Sequence, residues 1–216
     1  MPSATDVVNW MVENQELLRE QAVQHMNIAL TGLVFGIVLW GSAGVLIHKY
    51  DRFSDATLGM FGVWLTIPSL ALLSMLIPLV GIGTPAAVTA LVIYSALPIA
   101  RNVYVGLENV DESSIEAGRG LGMTDRQILL RVRLPQAVSV IMAGIRQAAV
   151  LLVAITTITA FFGAPGLGKS IFRGISLGNT QQILGSAIVI SAIAILVDTG
   201  LYGVQRLLPG SEVDDT

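Results

Sequence analysis

The chain has 216 residues, of which 53% are hydrophobic and 12% charged, against about 25% charged in an ordinary soluble domain, so it cannot cover itself with a water-compatible surface. Cysteine is absent, which excludes a disulfide framework, thiolate chemistry and cysteine-ligated metal. A net charge of -3 argues against general nucleic-acid binding.

Residues 1–25 are polar to amphipathic, with Val7, Val8, Trp10, Met11, Leu17 and Leu18 interleaved with Asp6, Glu13, Glu16, Arg19 and Glu20. They lack a basic leader and a small-residue cleavage site, so the expectation is a short helix on the membrane surface or a disordered leader, and not a removable signal. Residues 26–47 carry no charge over 22 positions, enough to cross a hydrocarbon core of about 30 Å. Gly32 and Gly36 form a GxxxG on this first span, which allows another helix close approach.

The longest uncharged interval follows, 45 residues from Ala56 to Ala100. Its break at Gly81-Ile82-Gly83-Thr84-Pro85 predicts a helical hairpin, with spans over 56–80 and 85–101. Pro68, Pro78 and Pro98 should kink these helices.

A charged island occupies 108–135. Ser113 with Glu116, and Thr124 with Gln127, read as two capping boxes; Gly120, Gly122 and Pro135 read as stops. The pattern predicts two short helices joined by a tight turn. Arg119, Arg126, Arg131 and Arg133 admit a helix-turn-helix nucleic-acid reader as a rival. Between Arg101 and Pro135, however, five arginines are matched by Glu108, Asp111, Glu112, Glu116 and Asp125. Such a balanced loop, pinned between membrane spans, suits a protein groove better than phosphate or anionic lipid.

Residues 137–162 form the fourth predicted span, with Arg146 inside it, and 183–202 the fifth, with Asp198 inside it. Each charge costs about 2.5–3.5 kcal/mol near a helix centre, so both should face protein or water. Their depths are similar, which predicts an ion pair between the two helices; in the competing reading Arg146 reaches for the interface and Asp198 joins a polar cluster near Thr199. Thr156, Thr157 and Thr159 either line a solute path or bond back to the preceding turn. His25 and His48 stand alone at opposite ends of the first span, and no metal site is expected. Trp40, Trp64, Tyr94 and Tyr104 read as packing or interfacial anchors rather than a cage for a quaternary ammonium.

Between these spans, Gly163-Ala164-Pro165-Gly166-Leu167-Gly168-Lys169-Ser170 matches the G-x-x-x-x-G-K-S phosphate loop, and the apolar run Ile193 to Asp198 imitates the strand-aspartate that accompanies it. A P-loop NTPase is therefore the rival from another class. A phosphate loop needs a buried strand of about five or six residues before it, whereas the apolar run here is membrane-length.

Eight Lys and Arg flank the spans on the side of the charged island: Lys49, Arg52, Arg101, Arg119, Arg126, Arg131, Arg133 and Arg206. Three flank them on the other: Arg19, Lys169 and Arg173. That bias predicts a cytoplasmic island, an external N-terminus and a cytoplasmic C-terminus, with a short acidic tail over 207–216.

The island carries a further regularity: Glu116, Ala117, Gly118, three residues, Gly122, nine residues, then Val132, Arg133, Leu134 and Pro135. This resembles the EAA loop of ABC importer permeases, E-A-A, three residues, G, nine residues, I-x-L-P, departing at Gly118 and Val132. The resemblance implies an all-α polytopic membrane protein of the type I importer fold, with about five transmembrane helices, a transmembrane domain over 26–206 and a cytoplasmic coupling loop over 108–135. It further implies a prokaryotic cell-membrane location, a second permease subunit, identical or related, cytoplasmic ABC ATPase subunits and an extracellular or periplasmic solute-binding protein. No enzymatic activity and no cofactor are expected in this chain. Residues 163–168 resemble the G-A-G-G-L-G turn of the osmoprotectant branch, with Pro165 in place of one glycine. Asn109-Val110-Asp111 and Ile141 to Arg146 share that flavour. This implies glycine betaine, carnitine or choline as solute, with amino acids or another small solute as the alternative.

Overall fold

The computed structural model describes residues 3–208, and the expected acidic tail with Glu212, Asp214 and Asp215 lies outside them. Eleven α-helices are found among the described residues, with no strand. Ser3 caps α1 (Ala4–Glu13) through a reciprocal box with Asp6. The next helix, α2 (Gln15–Lys49), has 35 residues and absorbs both the second half of the amphipathic leader and the first span. At 1.5 Å per residue it is longer than a bilayer core, so its first turns stand outside the hydrocarbon.

The single span expected over 56–80 is two helices, α3 (Ser54–Thr66) and α4 (Ser69–Val80), bent by 99°. Pro68 supplies no N–H and holds Ile67 extended, at φ -63° and ψ 125°, so the helix cannot continue through it. The Ile67 carbonyl accepts from Tyr94 Oη at 2.6 Å, which satisfies a group otherwise stranded at the break. Helices α5 (Thr84–Tyr94) and α6 (Ala96–Glu108) meet at Ser95 and together make one 25-residue apolar rod. Trp40 Nε1 donates to the Val92 carbonyl at 2.6 Å, so this tryptophan and Tyr94 are packing anchors bonded to helix breaks.

The polar hairpin α7 (Glu112–Gly120) and α8 (Asp125–Ile128) leads through a π-helical turn at Leu129–Arg133 into α9 (Leu134–Thr159). The polar, glycine-rich connection over 163–180 contains α10 (Gly168–Leu177), which ends at Gly178 with φ +65°. The last helix, α11 (Thr180–Leu207), is capped by Asn179. Among the described residues four rods are therefore long and apolar enough to cross a membrane, or five if the bent α3–α4 pair counts as one span.

Helices α6 and α9 lie at the centre, and the core side chains include Leu73, Leu91, Ile99, Leu107 and Leu152, all at most 1% exposed. Small residues set the spacing, as expected where apolar lipid removes the hydrophobic drive between helices. A Cβ on Gly32 would stand 2.7 Å from Leu91 Cβ, and one on Gly44 would stand 2.6 Å from Val103 Cβ; Gly36 faces Ser95. The GxxxG is thus consumed inside the subunit.

Candidate functional site

The chemistry-bearing residues gather at two places, the hairpin between α6 and α9 and the contact between α9 and α11. In the hairpin, α7 begins two residues before the start expected from a Ser113 cap. Asp111 stands at its N-cap position, and Ser113 Oγ donates to the Asp111 carboxylate instead of capping the backbone. That bond holds the Asp111 carboxyl below the ordinary carboxylate range. The expected Ser113–Glu116 box does not form, because Ser113 lies inside the first turn, where its hydroxyl faces back to Asp111. The Glu116 side chain is left exposed, with no hydrogen bond or ion pair among the described residues.

The second box does form: Thr124 N–H donates to Gln127 Oε1 at 2.8 Å and Gln127 N–H to Thr124 Oγ1 at 3.4 Å. Between the helices, Met123 N–H reaches the Gly118 carbonyl and Gly122 N–H the Arg119 carbonyl, a Schellman stop. Gly122 has φ +76°, a left-handed conformation that explains glycine at this fixed place.

The hairpin has a small core of its own. Val110, Ile115 and Ile128 are buried, with Met123 and Val132 packed on them. Gly118 lies in this core, its missing Cβ 3.3 Å from Met123 Sδ. Because a thioether end moves easily, Gly118→Ala should gain helix propensity at little steric cost. The expectation is a stabilisation of about 0.5 kcal/mol, read as slower amide exchange across α7.

Leu134 packs against the main core and Pro135 occupies the first turn of α9, where its missing N–H is tolerated. The exposed face holds Glu116, Ala117, Gly120 and, at the tip, Leu121, whose side chain is 83% exposed. Sequence reasoning passed over Leu121. The signal was present, a large apolar residue between two glycines at the turn of a polar loop.

Arg133 joins the hairpin to the spans. Its Nη1 donates to the Leu107 carbonyl at 2.9 Å and to His48 Nε2 at 2.7 Å. His48 Nδ1 lies 3.1 Å from Glu108 Oε2. His48, expected from sequence to stand alone, is instead the meeting point of α2, α6 and the π-turn; the partners are 60 and 85 residues away and invisible to spacing. Among the described residues no cluster of His, Asp and Glu can hold a metal.

At the second place, Arg146 Nε donates to Asp198 Oδ1 at 2.8 Å and Nη2 to Oδ2 at 2.9 Å, a bidentate pair linking α9 to α11. The Tyr202 ring lies 4.8 Å from the Arg146 guanidinium carbon and 4.7 Å from that of Arg206, so the charge of the pair is extended toward the helix end. Thr156 and Thr159 are 1% exposed and donate to the Leu152 and Thr156 carbonyls. Their positions face the bundle, and each hydroxyl is used by the preceding turn. Thr157 is half-buried.

The phosphate-loop match resolves into packing. No strand precedes Gly163 among the described residues; a short 3-10 turn does. A Cβ on Gly166 would meet His25 Cα at 3.1 Å, and Gly168 presses on the Thr157 carbonyl. Ser170 Oγ donates to Gln21 Oε1 at 2.7 Å, and the fully buried His25 donates from Nε2 to the Val153 carbonyl at 2.9 Å. These glycines bring a turn against α2 and α9 and leave no cradle for phosphate.

Comparison with known proteins agrees with this architecture. Residues 32–210 match the family of binding-protein-dependent transport system inner membrane components. The carnitine transport permease protein OpuCB of Listeria monocytogenes is 40% identical over 94% of each chain, and the choline transport system permease protein OpuBB of Bacillus subtilis is 35% identical over 94% of this chain and 93% of its own. Among solved structures, the inward-facing MetNI methionine ABC transporter superposes with a TM-score of 0.81 at 23% identity, covering 89% of this chain and 96% of that one. The chain belongs to the binding-protein-dependent inner-membrane transport family, as the permease subunit of an ABC importer. It is a multi-pass, non-catalytic membrane component of that machinery, and the NTPase reading falls.

Proposed function

We propose that this permease moves a quaternary-ammonium osmoprotectant of the glycine betaine, carnitine and choline class, with the hairpin over 108–135 as its contact with a cytoplasmic ATPase subunit. The observation that carries the coupling role is the independence of the hairpin: it keeps its own core while turning Glu116, Ala117 and Leu121 outward. Gly118, Gly122, Val132, Leu134 and Pro135 shape and mount that face. The solute class is supported by relatives whose names specify carnitine or choline at 35–40% identity.

In this reading residues 26–206 form the translocation domain, two permease subunits enclose the path, and a binding protein outside delivers solute. Arg133 transmits motion of the hairpin to the ends of α2 and α6, so closure of two ATPases would switch the spans between inward and outward openings. The charge bias supports an external N-terminus and a cytoplasmic C-terminus.

Two experiments test this. Proteoliposomes holding the permease with its ATPase and binding protein should take up glycine betaine, carnitine or choline in an ATP-dependent manner and should not take up methionine; the reverse preference would overturn the solute class. Because the chain has no cysteine, Arg126→Cys gives a single-thiol protein. A membrane-impermeant maleimide applied to intact cells should leave it unlabelled until the membrane is opened, and labelling from outside would invert the topology.

A further inference from the structure

Where α2 ends against the hairpin there is a cavity of about 470 Å³, within the usual range for ligand sites. Its lining carries His48, Lys49, Arg119, Arg126 and Arg133, opposed by one acid, Asp125. Arg119 faces Glu112 at 3.7 Å, in an exposed and therefore weak pair. Lys49, Arg126 and Arg133 make no carboxylate ion pair among the described residues. The partners of Arg133 are a carbonyl and the imidazole, neither of which carries a negative charge to offset it.

The rest of the lining is apolar: Val45, Ile115, Ile128 and Leu129. Val45 is one helical turn before Lys49 on α2, on the membrane side of it, and the adjacent Leu46 is 56% exposed on the same span. Val45 therefore opens the cavity toward the span, while Ile115, Ile128 and Leu129 line it from the hairpin.

We propose that this cavity holds the phosphate headgroup of an anionic phospholipid from the leaflet on the hairpin side, with Lys49, Arg126 and Arg133 on the phosphate and an acyl chain along Val45 and Leu46. Basic pockets at the ends of membrane helices suit such headgroups, and guanidinium groups pair with phosphate oxygens through charge-assisted bonds. A free phosphate would use the cations and gain nothing from the apolar side. The bound lipid would tie α2 to the hairpin, next to the Arg133–His48 contact. This inference rests on the membrane family and does not depend on which solute is carried.

The test is native mass spectrometry of the purified importer complex titrated with dioleoyl phosphatidylglycerol, dioleoyl phosphatidylcholine and excess inorganic phosphate. Phosphatidylglycerol should be retained about tenfold more strongly than phosphatidylcholine, and inorganic phosphate should not displace it. Lys49→Gln and Arg126→Gln should each weaken retention about fivefold, which is about 1 kcal/mol per cation, whereas Lys49→Arg should preserve it. Lys49 is exposed, so its substitution does not threaten the fold, and size-exclusion chromatography checks that each complex remains assembled. Equal retention of the two lipids, unchanged retention in both glutamine variants, or full displacement by inorganic phosphate would each overturn the proposal.

Discussion

Replacing Arg146 with leucine is expected to destabilise the permease by about 3 kcal/mol, a fall of roughly a hundredfold in the ratio of folded to unfolded protein. The substitution leaves the Asp198 carboxylate on a membrane helix with both its bonds removed. Asp198→Leu should do comparable damage, because Arg146 is then the stranded charge. The pair is not sealed from its surroundings, with side-chain exposures of 26% and 38%, and this keeps the expected cost at the insertion-scale value rather than the higher figures for fully buried charges. Removing both charges is the decisive arm. A hydrophobic pair in place of a buried ion pair is often neutral or better, so Arg146→Leu with Asp198→Leu should recover most of the loss. The exchange Arg146→Asp with Asp198→Arg should recover less, since the guanidinium then leaves the Tyr202 ring. Thermal unfolding of the four variants in one lipid mixture gives the coupling between sites. If the two single leucine changes are each harmless, or if their effects simply add, the pair does not hold α9 to α11.

The parts of this molecule that were legible in the sequence are those where one local signal dominates. Charge-free intervals located the apolar rods, and the Thr124–Gln127 box and Gly122 fixed the turn of the hairpin, because caps and left-handed glycines act within a few residues. Similar depth along two helices raised the Arg146–Asp198 pair as one of two readings, and only the structure brings the two groups within 2.8 Å. What escaped was decided by competition or by distance. Ser113 lost its capping role because Asp111, two residues earlier, offered a better acceptor. Pro68 reads as a kink from sequence. At the 99° break Tyr94, 27 residues on, donates its Oη–H to the freed Ile67 carbonyl, a partner that spacing does not reveal. The glycines of 163–168 imitated a phosphate loop because glycine serves any close approach of backbone, to an anion or to another helix alike. Only the third dimension shows that the neighbours here are His25 and Thr157.

Leu121 provides the sharpest test of the coupling role. Within a single chain its 83% exposure is unexplained by packing, and it stands at the tip of a hairpin whose Ile115, Met123 and Ile128 turn inward to the hairpin core. Interfaces concentrate their energy in a few large side chains that enter partner pockets, each worth 2 kcal/mol or more. Leu121→Asp should therefore weaken association with the ATPase subunit about thirtyfold and lower ATP-driven uptake by more than tenfold. The same change should leave the thermal stability of the isolated permease within about 1 kcal/mol, because Leu121 caps α7 through its backbone N–H and its exposed side chain adds only an unfavourable charge at a helix C-terminus. Leu121→Met, which keeps the apolar volume, should retain most of the uptake. The distinction from a folding defect lies in that split: lost uptake with intact stability marks a docking residue, whereas parallel loss of both would mark a structural one. If Leu121→Asp transports at the wild-type rate, the tip does not enter the ATPase, and the contact must be sought along Glu116 and Ala117 on the flank of α7.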